Sequence, residues 1–134
     1  AQLRRINELI YYKKWLFDEY QKRLSTVPNL KLSPSTDNVD HTYWITTALL
    51  KNYGIKKEDF KVMLDEFAID MRPLFYPLSA MPPFKNYVNK NMRDQNPITY
   101  ELSDYGICLP NGNNLSEDDI DYICHHFKKA LGVS

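Results

Sequence analysis

One stretch gathers the side chains best suited to recognising a ligand. Residues 71–84 read MRPLFYPLSAMPPF, with four prolines, three aromatics, one arginine, no acid and no glycine. Arg72 brings a planar, permanently charged fork that matches phosphate or carboxylate. Phe75, Tyr76 and Phe84 offer flat faces to a base or a sugar ring. Proline fixes φ and pushes the residue before it towards extended geometry, so Pro73, Pro77, Pro82 and Pro83 stiffen the segment before any contact forms. Such a ribbon suits a sugar nucleotide. The same residues also suit a packing loop whose arginine pairs with an acid such as Asp70.

Other chemistries are poorly served. The four glycines stand at positions 54, 106, 112 and 132, which builds neither a GxGxxG turn nor a GxxxxGK[ST] loop and removes the usual phosphate cradles. There is no GxSxG elbow and no SxxK pair, and His41, His125 and His126 lack a serine or cysteine partner in the sequence pattern. Cys124, His125 and His126 are metal-ligand types, but neighbouring helical residues point about 100° apart and do not converge on one ion. The acids Glu117, Asp118, Asp119 and Asp121 follow a helix start, where the dipole alone favours them.

The elements that must position the ribbon are readable from periodicity. Residues 3–24 contain no proline or glycine and carry Leu3, Ile6, Ile10, Phe17, Tyr20 and Leu24 at helical spacing, which predicts a long amphipathic helix. No Ser, Thr, Asp or Asn precedes Leu3 to cap it, an expectation of a chain cut from something larger. Residues 26–40 read as a loop. Residues 41–50, HTYWITTALL, are rich in aromatic and β-branched side chains and predict a strand buried on both faces. Residues 58–67 place Phe60, Met63, Leu64 and Phe67 on one helical face. A short strand is expected at residues 68–70, a positive patch at residues 85–95 (Lys85, Lys90, Arg93), a short helix at residues 97–105 with Pro97 opening it, and a strand at residues 107–109. Ser116 reads as an N-cap with Asp119 as its partner and a Leu115–Ile120 staple, and Gly132 as the helix stop. The order predicts an α+β fold, a small sheet packed against helices.

Composition bounds the class. The 134 residues fit one domain. Seventeen Lys and Arg against seventeen Asp and Glu leave no net field for nucleic acid or an anionic membrane. The apolar runs are far too short to span a bilayer, and a soluble, cytoplasmic protein is expected. Cys108 and Cys124 are expected to be reduced thiols in the core.

Two stretches carry a family resemblance. Residues 69–84, IDMRPLFYPLSAMPPF, and residues 105–131, YGICLPNGNNLSEDDIDYICHHFKKAL, resemble the C-terminal part of sugar aminotransferases of the DegT/DnrJ/EryC1/StrS family, in particular its perosamine-synthase-like branch. The opening AQLRRINELIYYKKWLFDEYQKRL resembles that family's helix leading from the large domain into the small one. The resemblance implies the C-terminal domain of the aspartate-aminotransferase fold, with a small antiparallel sheet against helices and a long first helix. Residues 1–134 would be the small domain alone, with residues 1–25 as connecting helix, 26–40 as loop and 41–134 as α+β core. The large domain, with the Schiff-base lysine and the pyridoxal phosphate it binds, would lie upstream, leaving residues 1–134 inactive by themselves.

The same resemblance implies the partners and the site. The intact enzyme would be a homodimer that moves an amino group from glutamate to a nucleotide-linked keto sugar. Arg72, Phe75, Tyr76 and Ser79 would line the substrate cleft, with Lys85 as a further phosphate-binding candidate. Many relatives carry histidine where this chain has Ser79, and threonine where it has Met71. Two other readings stay open at this level: a dehydratase of the same family, and a sugar-nucleotide binding module without chemistry.

Overall fold

Twenty-odd opening residues free of proline and glycine favour a helix. In the computed structural model, which describes residues 2–133, a 3₁₀ turn at Gln2–Arg5 leads into α1, Ile6–Leu24. Leu16, Phe17, Tyr20 and Leu24 form its buried stripe, whereas Leu3 and Ile6 stay exposed. The apolar face predicted along the whole helix is therefore covered only in its second half.

The segment expected to be loop throughout contains β1, Lys31–Leu32. The strand expected at residues 41–50 shrinks to β2, Thr47–Leu49. Tyr43 explains the shortening: its φ of 48° is left-handed, which breaks extended backbone. Its ring stacks on Phe17 at 3.7 Å, and its amide donates to His41 Nδ1 at 2.8 Å. β-forming composition here reports tertiary packing rather than a ladder.

Helix α2, Lys57–Asp65, buries Phe60 and Leu64 as its spacing predicts, while Met63 faces solvent. No strand follows at residues 68–70. Ala68 takes φ of 54°, with its amide on Asp65 O at 3.0 Å and the Ile69 amide on Leu64 O at 3.1 Å. That paired closure is a Schellman turn with alanine where glycine is usual. The chain then enters β3, Arg72–Pro73. Further on, α3 spans Met92–Gln95 and α4 spans Pro97–Tyr105, the latter opened by proline as expected. Strand β4 is Gly106–Cys108, shifted by one residue from its expected place.

Helix α5, Glu117–Ala130, begins on a complete capping box. The Asp119 amide donates to Ser116 Oγ at 3.2 Å, and the Ser116 amide donates to the Asp119 carboxylate at 2.8 Å. It ends as the sequence indicates, with Gly132 at φ of 70° and amides of Gly132 and Val133 on Lys129 O and Lys128 O.

The four strands form one antiparallel sheet in the order β1-β2-β4-β3. Ala48 opposite Ile107 turns one face towards the core, where Leu16, Tyr20, Phe60, Leu64, Ile120 and Phe127 meet. Phe60 and Phe127 pack edge to face at 5.0 Å, tying α2 to α5. Both cysteines are free thiols in this interior. Burial pushes Cys124 up to about 12, so it is a neutral packing group. Among the described residues, no helix is long and apolar enough to cross a membrane.

Candidate functional site

The ribbon leaves the sheet from its edge. Arg72 and Pro73 pair with Cys108 and Ile107, and the Leu74 amide continues the ladder onto Gly106 O at 3.0 Å. Gly106 makes that approach possible. A Cβ there would lie 2.3 Å from Leu102 O and 2.5 Å from a Leu74 methyl, so only glycine lets α4, β4 and the ribbon converge. Beyond Pro77, which is buried, the ribbon winds into two 3₁₀ turns, Leu78–Ala80 and Pro82–Tyr87. It is extended only over its first half.

The predicted site residues divide into two groups. Arg72, Phe75 and Tyr76 follow one another along the exposed first half. The Arg72 side chain is 75% exposed and donates to Asp70 Oδ2 at 2.8 Å. The acid partner of the packing alternative is thus present, but the burial it called for is not. Phe75 lies at the rim of an apolar pocket of about 230 Å³, shared with Trp44, Leu74 and Cys108. The Tyr76 ring rests on an ammonium, Lys57 Nζ, at 3.7 Å from its centroid.

Ser79 belongs to the second half and is held from α4. Its hydroxyl shares a 2.9 Å hydrogen bond with the Tyr100 hydroxyl. Arg93 covers the Tyr100 ring at 4.7 Å and reaches Asp104 at 3.0 Å, and Lys56 reaches the same carboxylate at 2.7 Å. Hydrogen bonds from Arg93 and Lys56 hold the Asp104 carboxyl down at about 2. This network pairs Arg93 with an acid outside the expected positive patch, which keeps Lys85 and Lys90. Lys85 stands apart on the Pro82–Tyr87 turn, exposed, with no ion pair among the described residues.

Three residues at the site carried no signal in the sequence. Trp44, hidden in the misread strand, is 67% exposed and borders both the Phe75 pocket and a cleft of about 970 Å³ along the first half of α1. Tyr100 and Lys57 sit at unremarkable positions of polar helices, and only the packing of α2 and α4 against the ribbon brings them in.

Three lysines are poorly placed to form an imine, which needs a neutral amine opening on a cavity. Lys56 is pushed up by its hydrogen bond to Asp104, and so held charged. Lys13, in the large cleft, is lowered by burial, but its Nζ is bonded to both oxygens of Asn111. Lys57 is 2% exposed, beneath Tyr76. Glu8, the one acid bordering the large cleft, is paired with Arg5.

Comparison with known proteins extends these observations. The chain is 30% identical over 124 residues to the GDP-perosamine synthase of Escherichia coli O157:H7, covering 92% of this chain and 32% of that protein. It is 26% identical over 129 residues to the GDP-perosamine synthase of Vibrio cholerae, covering 96% and 34%. The chain thus spans about a third of the length of the curated relatives it matches. Among solved structures, the pyridoxal phosphate form of a Streptococcus pneumoniae protein assigned as a sugar aminotransferase superposes with a TM-score of 0.83 at 22% identity, over 98% of this chain and 33% of that one. At that identity the likeness carries the fold, a portion of the fold of pyridoxal-phosphate sugar aminotransferases. The model of the DegT/DnrJ/EryC1/StrS aminotransferase family matches residues 1–128, and the chain belongs to that family.

Proposed function

We propose that residues 1–134 form the small domain of a pyridoxal-phosphate aminotransferase that transfers an amino group from glutamate to a nucleotide-linked keto sugar. The observation that carries this reading is the outward presentation of the ribbon. In a chain of this family, Arg72, Phe75 and Tyr76 leave the core edge by edge instead of packing into it. On this reading Arg72 takes a phosphate or sugar oxygen, Phe75 and Tyr76 flank the ligand, Ser79 meets a sugar hydroxyl, and Lys85 faces the phosphates.

Three of the lysines do not fit an imine with the cofactor. No lysine among Lys13, Lys56 and Lys57 combines a neutral amine with open space, as their hydrogen bonds and burial show. The left-handed glycines, Gly54 and Gly132, lie in separate helix-end turns and not in a phosphate-binding loop. On this proposal the cofactor is held by a large domain outside residues 1–134. The exposed Leu3 of the 3₁₀ turn and Ile6 and Tyr11 of α1 are a suitable apolar face for it. What this chain contributes is a wall: it binds and orients the sugar nucleotide and keeps water from the reacting centre. A homodimer working in the cytoplasm completes the proposal.

The test uses the intact enzyme that carries this chain. With pyridoxal phosphate bound, glutamate should bleach the cofactor's visible band, and a nucleotide-linked keto sugar should restore it with release of the amino sugar, identified by mass spectrometry. Under the same conditions residues 1–134 alone should give no stoichiometric borohydride-trapped adduct. A cofactor band indifferent to glutamate, or a single-site adduct on residues 1–134, overturns the reading.

A further inference from the structure

Lys57 is a charge in an unexpected place. It opens α2, at the end of a helix where the dipole disfavours a cation, and its side chain turns inward until only 2% of the residue is exposed. Burial lowers its pKa. A buried ammonium is costly unless its surroundings compensate. The compensation found here is unusual in kind. Nζ donates to Leu74 O at 3.3 Å and to Ser103 Oγ at 3.4 Å, both long bonds. The nearest carboxylate, Glu58, is 3.9 Å away and itself exposed. Nζ also sits against the face of the Tyr76 ring, 3.7 Å from its centroid.

Stability alone does not call for this arrangement, because a methionine of similar length would fill the same space without desolvating a charge. A charge does make one distinct difference: it holds an aromatic ring by its face, and a desolvated cation does so more strongly than an exposed one. Two of the three close partners, Leu74 and Tyr76, flank Phe75 on the ribbon. The third, Ser103, lies on α4, the helix whose Tyr100 holds Ser79. The ammonium therefore stands at the junction of α2, α4 and the ribbon, under the residues proposed to meet the ligand.

We propose that Lys57 is the positioning residue of the ribbon, fixing the Tyr76 ring from below and the Leu74 carbonyl beside it so that Phe75 and Tyr76 meet the nucleotide sugar in one set orientation. The proposal rests on the functional reading above. Lys57 touches no ligand and takes no part in chemistry. Its effect is preorganisation, so its loss falls on substrate affinity more than on turnover of bound substrate.

The experiment combines kinetics of the intact enzyme with a geometric measurement. Lys57→Met should raise KM for the nucleotide sugar about tenfold, between what an exposed and a fully desolvated cation–π contact supply, with kcat within about twofold. Lys57→Arg should recover most of the loss, since a guanidinium also stacks on a ring. Tyr76→Leu removes a ligand face as well, so it should cost at least as much as Lys57→Met, and the double variant should be no worse than Tyr76→Leu alone. Independently, the Lys57 ε-methylene protons should show an upfield ring-current shift by NMR in the unsubstituted protein, lost in Tyr76→Leu. Additive variants, an arginine variant as poor as the methionine one, or an unshifted ε-methylene each overturn the proposal. If Lys57→Met does not fold, the arginine and Tyr76 variants and the NMR shift still decide. If the unsubstituted enzyme takes no nucleotide sugar although the shift is present, it is the functional reading that fails and the contact that stands.

Discussion

Replacing Arg72 by alanine separates a binding role from a packing role, because the structure sets very different magnitudes for the two. The Arg72–Asp70 pair has side chains 75% and 61% exposed, and an exposed pair contributes about 0–1 kcal/mol to folding. For a domain of this size that is a change in Tm of no more than about 4 °C. A charge-assisted hydrogen bond from the guanidinium to a phosphate or sugar oxygen would be worth about 1.5–3 kcal/mol, or about 10- to 150-fold in affinity. Calorimetric titration of a nucleotide sugar into the intact enzyme, with thermal melts of the same preparations, reads both quantities. Asp70→Ala serves as the control: it removes the internal partner, so affinity should hold or improve. The reasoning is refuted if Arg72→Ala binds within twofold of the unsubstituted enzyme while its Tm falls as far as a core truncation would lower it.

Two stability predictions follow from the same geometry. Ala68 closes α2 in a left-handed conformation, which costs an L-residue roughly 1–2 kcal/mol. After allowance for the greater freedom of unfolded glycine, Ala68→Gly should stabilise the chain by about 0.5–1 kcal/mol in a urea titration, and a decrease would contradict the assigned turn. Asp104 is depressed to about 2 by Arg93 and Lys56; its folded value lies below its unfolded one, so its contribution is present above about pH 4 and lost as pH falls towards 2. Asp104→Asn should flatten the acid unfolding curve over that window, and an unchanged curve would show that the network carries no stability.

Much of the frame was legible because its signals are local. Ser116, Asp119 and Gly132 each act within one helical turn, and α5 starts and stops where they indicate. The second half of α1 buries the residues its spacing selects. The failures share a physical cause, in that a side chain's partner lay far along the chain. HTYWITTALL reads as strand because its residues favour pleated surfaces, yet Tyr43 is taken by Phe17 from α1 and only Thr47–Leu49 finds a ladder. Ala68 hides a left-handed turn that glycine would have announced. At the site, the aromatic and guanidinium side chains of the ribbon were visible as a group, because proline and composition mark them. Lys57 and Tyr100, which hold the ribbon from α2 and α4, were not, because nothing in KKEDF or PITYEL reveals which face meets a segment 20 residues away.

The sheet has a further consequence in how narrow its borders are. Each outer strand, Lys31–Leu32 on one side and Arg72–Pro73 on the other, offers only two ladder positions, and Pro73 has no amide proton to give. A foreign strand arriving at either margin finds almost nothing to zip onto. A chain with ten tyrosines and six phenylalanines can therefore display aromatic surface beside its sheet without that sheet templating fibrous self-association.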